Sequence, residues 1–292
     1  MRIIVAVDEQ PYSAQAVSEA ARLARNTWPD VRLLAVSSAK APKGAGSPGG
    51  DPHPLLPVLR EHRRRFLAEF AGEDCPYPPA GQDYELHELG RGVWEERAPR
   101  RESRKDLRLK LRLGAPAKEV LAEAAQPVSD LIVIGCDQAQ GCTWLGGDNL
   151  PQKMASEAPC SVLVVKGEKK IDQMVCCLDH DQVSQASLEL INQMVTLYQA
   201  RLHIVGLTEK DTLKAEVEKK MAGIVEYYTS RRITPWLELV EQQSLLNFVA
   251  QRARQGLVAL WMGKKSIFRK VFSHGRVEQL VKASQSPVLI LR

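Results

Sequence analysis

Two stretches decide the fold: Arg2-Ile3-Ile4-Val5-Ala6-Val7-Asp8 and Met174-Val175-Cys176-Cys177-Leu178-Asp179. Each is a short run of apolar, largely β-branched residues that ends in an acid. Such a run reads as a strand buried on both faces. Each is followed by small and apolar residues at helical spacing. In the first copy these are Ala14, Ala16, Val17, Ala20, Ala21, Leu23 and Ala24; in the second, Ala186, Leu188, Leu190, Ile191, Met194 and Leu197. Second strands follow at Val31–Val36 and Arg201–Gly206, and late runs ending in glycine at Leu131–Gly135 and Leu257–Gly263. Each half closes on a further apolar run, Ser161–Val165 or Pro287–Leu291. Apolar strands alternating with amphipathic helices predict an α/β protein with two parallel sheets, each covered by helices on both faces.

The repeat places a boundary near Gly167, giving a first domain over 1–167 and a second over 168–292. A chain of 292 residues, 44% hydrophobic and 26% charged, is long enough for two cores. The first half is longer because it carries two extra loops. Residues 39–57 are rich in Pro and Gly and read as a flexible connection. Residues 72–104 hold Cys75-Pro76-Tyr77-Pro78-Pro79 and a highly charged stretch, and mobility is the reading favoured for them.

Composition excludes several functions. The net charge of +5 is mixed along the chain, so no nucleic-acid surface is expected. No apolar run approaches the ~18 residues of a membrane span, and the N-terminus enters a strand without a targeting pattern. A cytoplasmic location is the expectation. The six cysteines form no C-x-x-C motif and the six histidines are scattered, so no metal site is expected. Free, buried thiols in a reducing compartment are the reading of the cysteines. The phosphate-loop, nucleophile-elbow and zinc-protease motifs are absent, and turnover is not expected.

The ordered segments resemble the universal stress protein family, twice over. In the first half they are Val5-Ala6-Val7-Asp8, Tyr12-Ser13 with Ala16, Gly114-Ala115-Pro116-Ala117, Asp130–Gly135 and Ala158–Val165. The second half matches through Leu178-Asp179, Trp261-Met262-Gly263 and Ser286–Ile290. The resemblance implies a tandem member: two five-stranded parallel-sheet domains, Rossmann-like and akin to adenine-nucleotide hydrolases. It also implies a final edge strand in each half that pairs across a dimer in the family, so the two halves of this chain are expected to pair there, with protein partners or self-association through edge strands.

Nucleotide-binding relatives carry G-x2-G-x9-G-[ST] after the fourth strand, where glycines admit phosphate to backbone N–H groups at a helix start. Here the segment runs from Gly135 to Asn149, and the pattern's second and third glycines fall on Gln138 and Asp148. A carboxylate at Asp148 would cap the helix and repel a triphosphate. Gly141, Gly147 and Asn149 are the residues that could restore a site. In the second half, Gly263 is followed by Lys264, Lys265, Ile267, Phe268, Arg269, Lys270 and Phe272, a basic loop with bulky aromatics. Ser273 and Gly275 could hold one phosphate there. Asp8 and Asp179 stand where the ligand-side acid would be, and equally where an acid caps the next turn.

The candidate cleft residues are thus Asp8, Gly135, Gly141, Gly147, Asn149, Asp179, Gly263, Ser273 and Gly275. The expectation is a non-catalytic stress-response module with degenerate clefts and no cofactor, acting through protein association. The alternative is an ATP- or ADP-binding switch with weak or no hydrolysis at the first cleft.

Overall fold

A computed structural model of the chain describes all residues except 39–50, 72–73, 80, 91, 99–102, 126–128, 145–148, 168–170, 179–182, 209–213, 253–255 and 264–273, and omits the side chains at 214, 216, 220, 242 and 274. It separates into two compact units, Met1–Val165 and Lys166–Arg292.

The first unit begins with β1 (Arg2–Val7), buried from Ile3 onward, and α1 (Pro11–Thr27). Pro11 occupies the first helical turn, where its missing N–H costs nothing. Half of the buried residues of α1 are alanine (Ala16, Ala20, Ala21, Ala24), which lets the helix lie close against the sheet. Trp28 ends it in the left-handed region (φ 44°) and donates its N–H to the Ala24 carbonyl. There follow β2 (Asp30–Ser37), α2 (Leu55–Ala68), β3 (Glu85–Gly90), β4 (Val93–Arg97), β5 (Leu107–Leu113), α3 (Pro116–Ala125), β6 (Leu131–Gly135), α4 (Leu150–Glu157) and β7 (Ser161–Val165).

β1 pairs in parallel with both β2 and β6, β2 with β5, and β6 with β7. The five parallel strands therefore run β5-β2-β1-β6-β7. Every residue of β6 and β7 is buried, as expected of strands covered on both faces. Helix α1 packs on β1 and β6 beside α2, while α3 and α4 pack together against β2, β6 and β7.

The charged segment read as a long loop holds structure. Within 72–104, β3 and β4 form an antiparallel hairpin, and β4 pairs antiparallel with β5. Beside the buried Trp94, its hidden positions on β4 are Glu95 and Glu96. Glu96, 2% exposed, accepts from Arg60 Nε at 2.7 Å and Arg63 Nη1 at 2.6 Å, both on α2. The Arg63 guanidinium also lies 3.4 Å over the Tyr84 ring. On β5 the alternation Leu107-Arg108-Leu109-Lys110-Leu111-Arg112 sends leucines to one face and cations to the other. Lys110 and Arg112 reach Glu123 of α3 at 2.9 Å each, joined there by Arg32.

Among its described residues the second unit repeats the five parallel strands without a hairpin. It holds β8 (Gln173–Cys177), α5 (Gln185–Tyr198), β9 (Arg201–Thr208), α6 (Lys214–Thr229), β10 (Trp236–Glu241), α7 (Leu245–Arg252), β11 (Leu257–Trp261), α8 (His274–Ala283) and β12 (Val288–Leu291). The pairings give the order β10-β9-β8-β11-β12. Ser184 caps α5, its hydroxyl accepting from the Ser187 N–H at 3.2 Å. Among the described residues, no helix is long and apolar enough to cross a membrane.

Candidate functional site

In an open parallel sheet, ligands bind beyond the carboxyl ends of the strands where the order reverses. In the first unit that place lies between β1 and β6, so Asp8 and Gly135 belong to the same crevice.

Asp8 is 4% exposed and its carboxylate is already engaged. Oδ1 accepts from the Gln10 N–H at 2.9 Å and from Ser13 Oγ at 2.6 Å, and Oδ2 accepts from Tyr12 Oη at 2.5 Å. The Asp8 N–H in turn donates to Ser13 Oγ at 3.0 Å. Of the two roles open to Asp8, the geometry is that of the turn-capping acid. Each such bond to a charged acceptor contributes about 1.5–3 kcal/mol, so releasing the carboxylate for a ligand is costly. The Asp8 carbonyl lies 2.9 Å from His62 Nε2, on α2. His62 is buried with no partner for Nδ1 among the described residues, and burial lowers its pKa.

Gly135 has a packing reason of its own. A Cβ there would stand 2.1 Å from the Tyr12 carbonyl oxygen, so only glycine lets β6 end against the start of α1. The loop after it is a compact ring. Cys142 N–H donates to the Asp137 carbonyl at 2.7 Å, and Asp137 N–H to the Thr143 carbonyl at 3.2 Å. Gly141 supplies the positive φ (73°) that its turn requires. Gln152 of α4 holds the ring from below, its amide 2.9 Å from the Cys142 carbonyl. Trp144, 7% exposed, then packs on Tyr12 with ring centroids 5.4 Å apart. Tyr12 thus links the Trp144 ring to the Asp8 carboxylate.

The ring corrects one expectation. Cys136 and Cys142 are joined by a disulfide, with Cα atoms 4.7 Å apart, rather than free thiols. Cys75, Cys160, Cys176 and Cys177 are thiols outside this disulfide. A spacing of six residues carries no motif; the pair meets only because the ring turns back at Gly141.

Of the other candidates, Asn149 is exposed and precedes α4, without a side-chain capping bond. Asp148 and Gly147 lie outside the described residues, as do Asp179, Ser273 and the basic loop 264–273. In the second unit, a Cβ on Gly263 would meet the Trp261 indole at 2.5 Å, so that ring folds over the chain just beyond β11. Gly275, at the start of α8, has no heavy atom within 4 Å of its Cβ position. Tyr12, Ser13, His62, Trp144 and Gln152 complete the first site. Tyr12 and Ser13 were legible as a family segment; His62 and Trp144 carried no signal in spacing.

A cavity of about 210 Å³ lies at the opposite ends of the strands, lined by Arg2, Asp30, Arg32, Asp106 and Arg108. Its cations are drawn to acids already present, Arg108 to Asp106 at 2.7 Å and Arg32 to Glu123. Among the described residues, no group of three or more His, Cys, Asp or Glu side chains is placed to hold a metal ion.

A doubly wound sheet with its crevice between the first and fourth parallel strands defines a nucleotide-fold class of α/β protein. Comparison narrows the class. The model of the universal stress protein family matches residues 1–166, more than half of the chain. The chain belongs to the universal stress protein family. A universal stress protein from Archaeoglobus fulgidus superposes with a TM-score of 0.61 at 13% identity, covering 100% of this chain and 96% of that one. A functionally unknown protein from Pseudomonas aeruginosa PAO1 gives 0.58 at 13% identity, covering 99% and 92%. The cytoplasmic domain of a prokaryotic cation chloride cotransporter gives 0.54 at 10% identity, covering 99% and 94%. At these identities the likeness is one of fold. No curated protein matches the chain in sequence.

Proposed function

We propose that the chain is a non-catalytic stress-response module acting through protein association, with a first nucleotide cleft filled by its own side chains. The observation that carries this reading is the Asp8 carboxylate, which spends its acceptors on Gln10, Ser13 and Tyr12, the last packed against the Trp144 ring. A nucleotide would have to break a charge-assisted cluster and displace two aromatic rings to reach it. Association is supported by β10, which ends the second unit's strand order and carries Trp236, 71% exposed.

Native mass spectrometry of gently purified protein, followed by calorimetric titration with ATP and ADP, tests this. The expected result is protein without bound adenine nucleotide and no affinity tighter than millimolar. A micromolar isotherm would overturn it in favour of an ATP- or ADP-binding switch at Asp8, Gly135, Gly141 and Asn149. The same spectra read the stoichiometry on which association depends.

A further inference from the structure

The disulfide sits where it can control the first crevice. Cys136 follows Gly135 directly, and Cys142 is two residues before Trp144. The ring between them has an exposed crown, Gln138, Ala139 and Gln140, above a buried bond whose cysteines are 2% and 1% exposed. Cys142 is held at φ 64°, immediately after Gly141 at φ 73°. A residue with a Cβ adopts that conformation only when its surroundings impose it. The imposing contacts are the cross-link, the two backbone bonds across the ring and the Gln152 amide.

We propose that Cys136–Cys142 is a thiol–disulfide modification site that sets whether the first crevice is closed. Oxidised, the ring keeps Trp144 against Tyr12, and Tyr12 keeps its hydroxyl on Asp8. Reduced, the ring relaxes at Cys142, Trp144 leaves Tyr12, and the Asp8 cluster opens to solvent. The exchange partner is a low-molecular-weight thiol. Its thiolate attacks one protein sulfur to form a mixed disulfide, and the other protein sulfur leaves as a thiolate and takes a proton. A second thiol attacks the mixed disulfide, giving the second protein thiol and a small disulfide. Two electrons and two protons pass to the protein in all. Cys176 and Cys177 are unsuited to this chemistry, since burial pushes their thiols well above their usual range.

The proposal rests on the reading that the first cleft is filled by its own side chains, but its test uses no nucleotide. Full-length protein purified without reductant is divided, and half is treated with dithiothreitol. Cysteines are counted by alkylation under denaturing conditions, and amide hydrogen exchange is followed by mass spectrometry. Four alkylated cysteines are expected before reduction and six after, matching one disulfide and four free thiols. Opening a ring of this size is expected to speed exchange on the order of tenfold over both 135–144 and 8–13, with β2 and β5 unchanged. Six alkylated cysteines without reductant would overturn the proposal. So would faster exchange confined to 135–144 with 8–13 unaffected. The double variant Cys136→Ala with Cys142→Ala should reproduce the reduced pattern; the reduced natural chain gives the same readout if that variant does not fold. A micromolar nucleotide isotherm with this exchange result intact would overturn the proposed function while leaving the thiol–disulfide control of 8–13 standing.

Discussion

At the scale of single residues, Gly135 is the position with least freedom. Its absent Cβ leaves room for the Tyr12 carbonyl, and backbone cannot yield as a flexible side chain can. Gly135→Ala is expected to destabilise the first unit by about 3 kcal/mol, seen as a lower urea midpoint with an unchanged slope. From the chain alone Gly135 reads as a phosphate-approach glycine, and Asp8 stands equally as ligand acid or cap. Both positions are legible; their purpose is not. Which oxygen an aspartate satisfies depends on Tyr12 and Ser13 returning to it one helical turn later. What a glycine admits depends on a helix 123 residues away in sequence. Trp144 and His62 are invisible for the same reason, since each acts on Asp8 or Tyr12 across the fold.

At the scale of elements, hydrophobic pattern locates the strands buried on both faces and misses those whose hidden face is charged. β1, β2, β6 and β7, with β8, β9, β11 and β12, are all plain as apolar runs. The third strand of each sheet is not, because Leu107–Leu113 alternates leucine with cations and Trp236–Glu241 is interrupted by glutamate at every third position. The hairpin β3–β4 is harder still, since Glu95 and Glu96 occupy positions where a strand pattern expects valine. Its attachment rests on Glu96, gripped by Arg60 and Arg63. Removing one member of such a buried group leaves uncompensated charge, so Glu96→Ala is expected to cost about 3–5 kcal/mol. Hydrogen exchange should show the loss first in β4 and α2, while β6 and β7 stay protected. Protection of β4 left intact would mean that backbone pairing with β5 alone holds the hairpin.

At the scale of the whole molecule, buried bases set how stability follows pH. His53, His62 and His203 all have pKa values lowered by burial, so the unfolded chain takes up their protons first as pH falls below 6.5. Stability contributed by the neutral rings is therefore lost on the acid side. His62→Gln is expected to flatten that decline, read as the urea midpoint against pH. Lys166 works on the alkaline side. It is 1% exposed, its ammonium donates to the Val281 and Ser284 carbonyls near the end of α8, and burial lowers its pKa from 10.5 to about 8. Between those values the unfolded chain holds the extra proton, so stability should rise with pH across that window, by at most about 3 kcal/mol. Lys166→Met should abolish the rise; a rise that persists would assign it to another group.

The hairpin also determines how the first unit meets other chains when crowded or heated. A bare parallel strand at the end of a sheet is a template on which a stray extended segment can crystallise, and aggregation spreads from such rows. Here that place is taken by β3, running against its neighbour, irregular in register between Glu88 and Gly90, and carrying exposed Glu85 and Glu88. A segment arriving there finds charge and a kinked ladder in place of a straight apolar one. The insertion that lengthens the first unit is thus a stopper against runaway polymerisation at that margin, built from the residues that hide it from a hydrophobic reading.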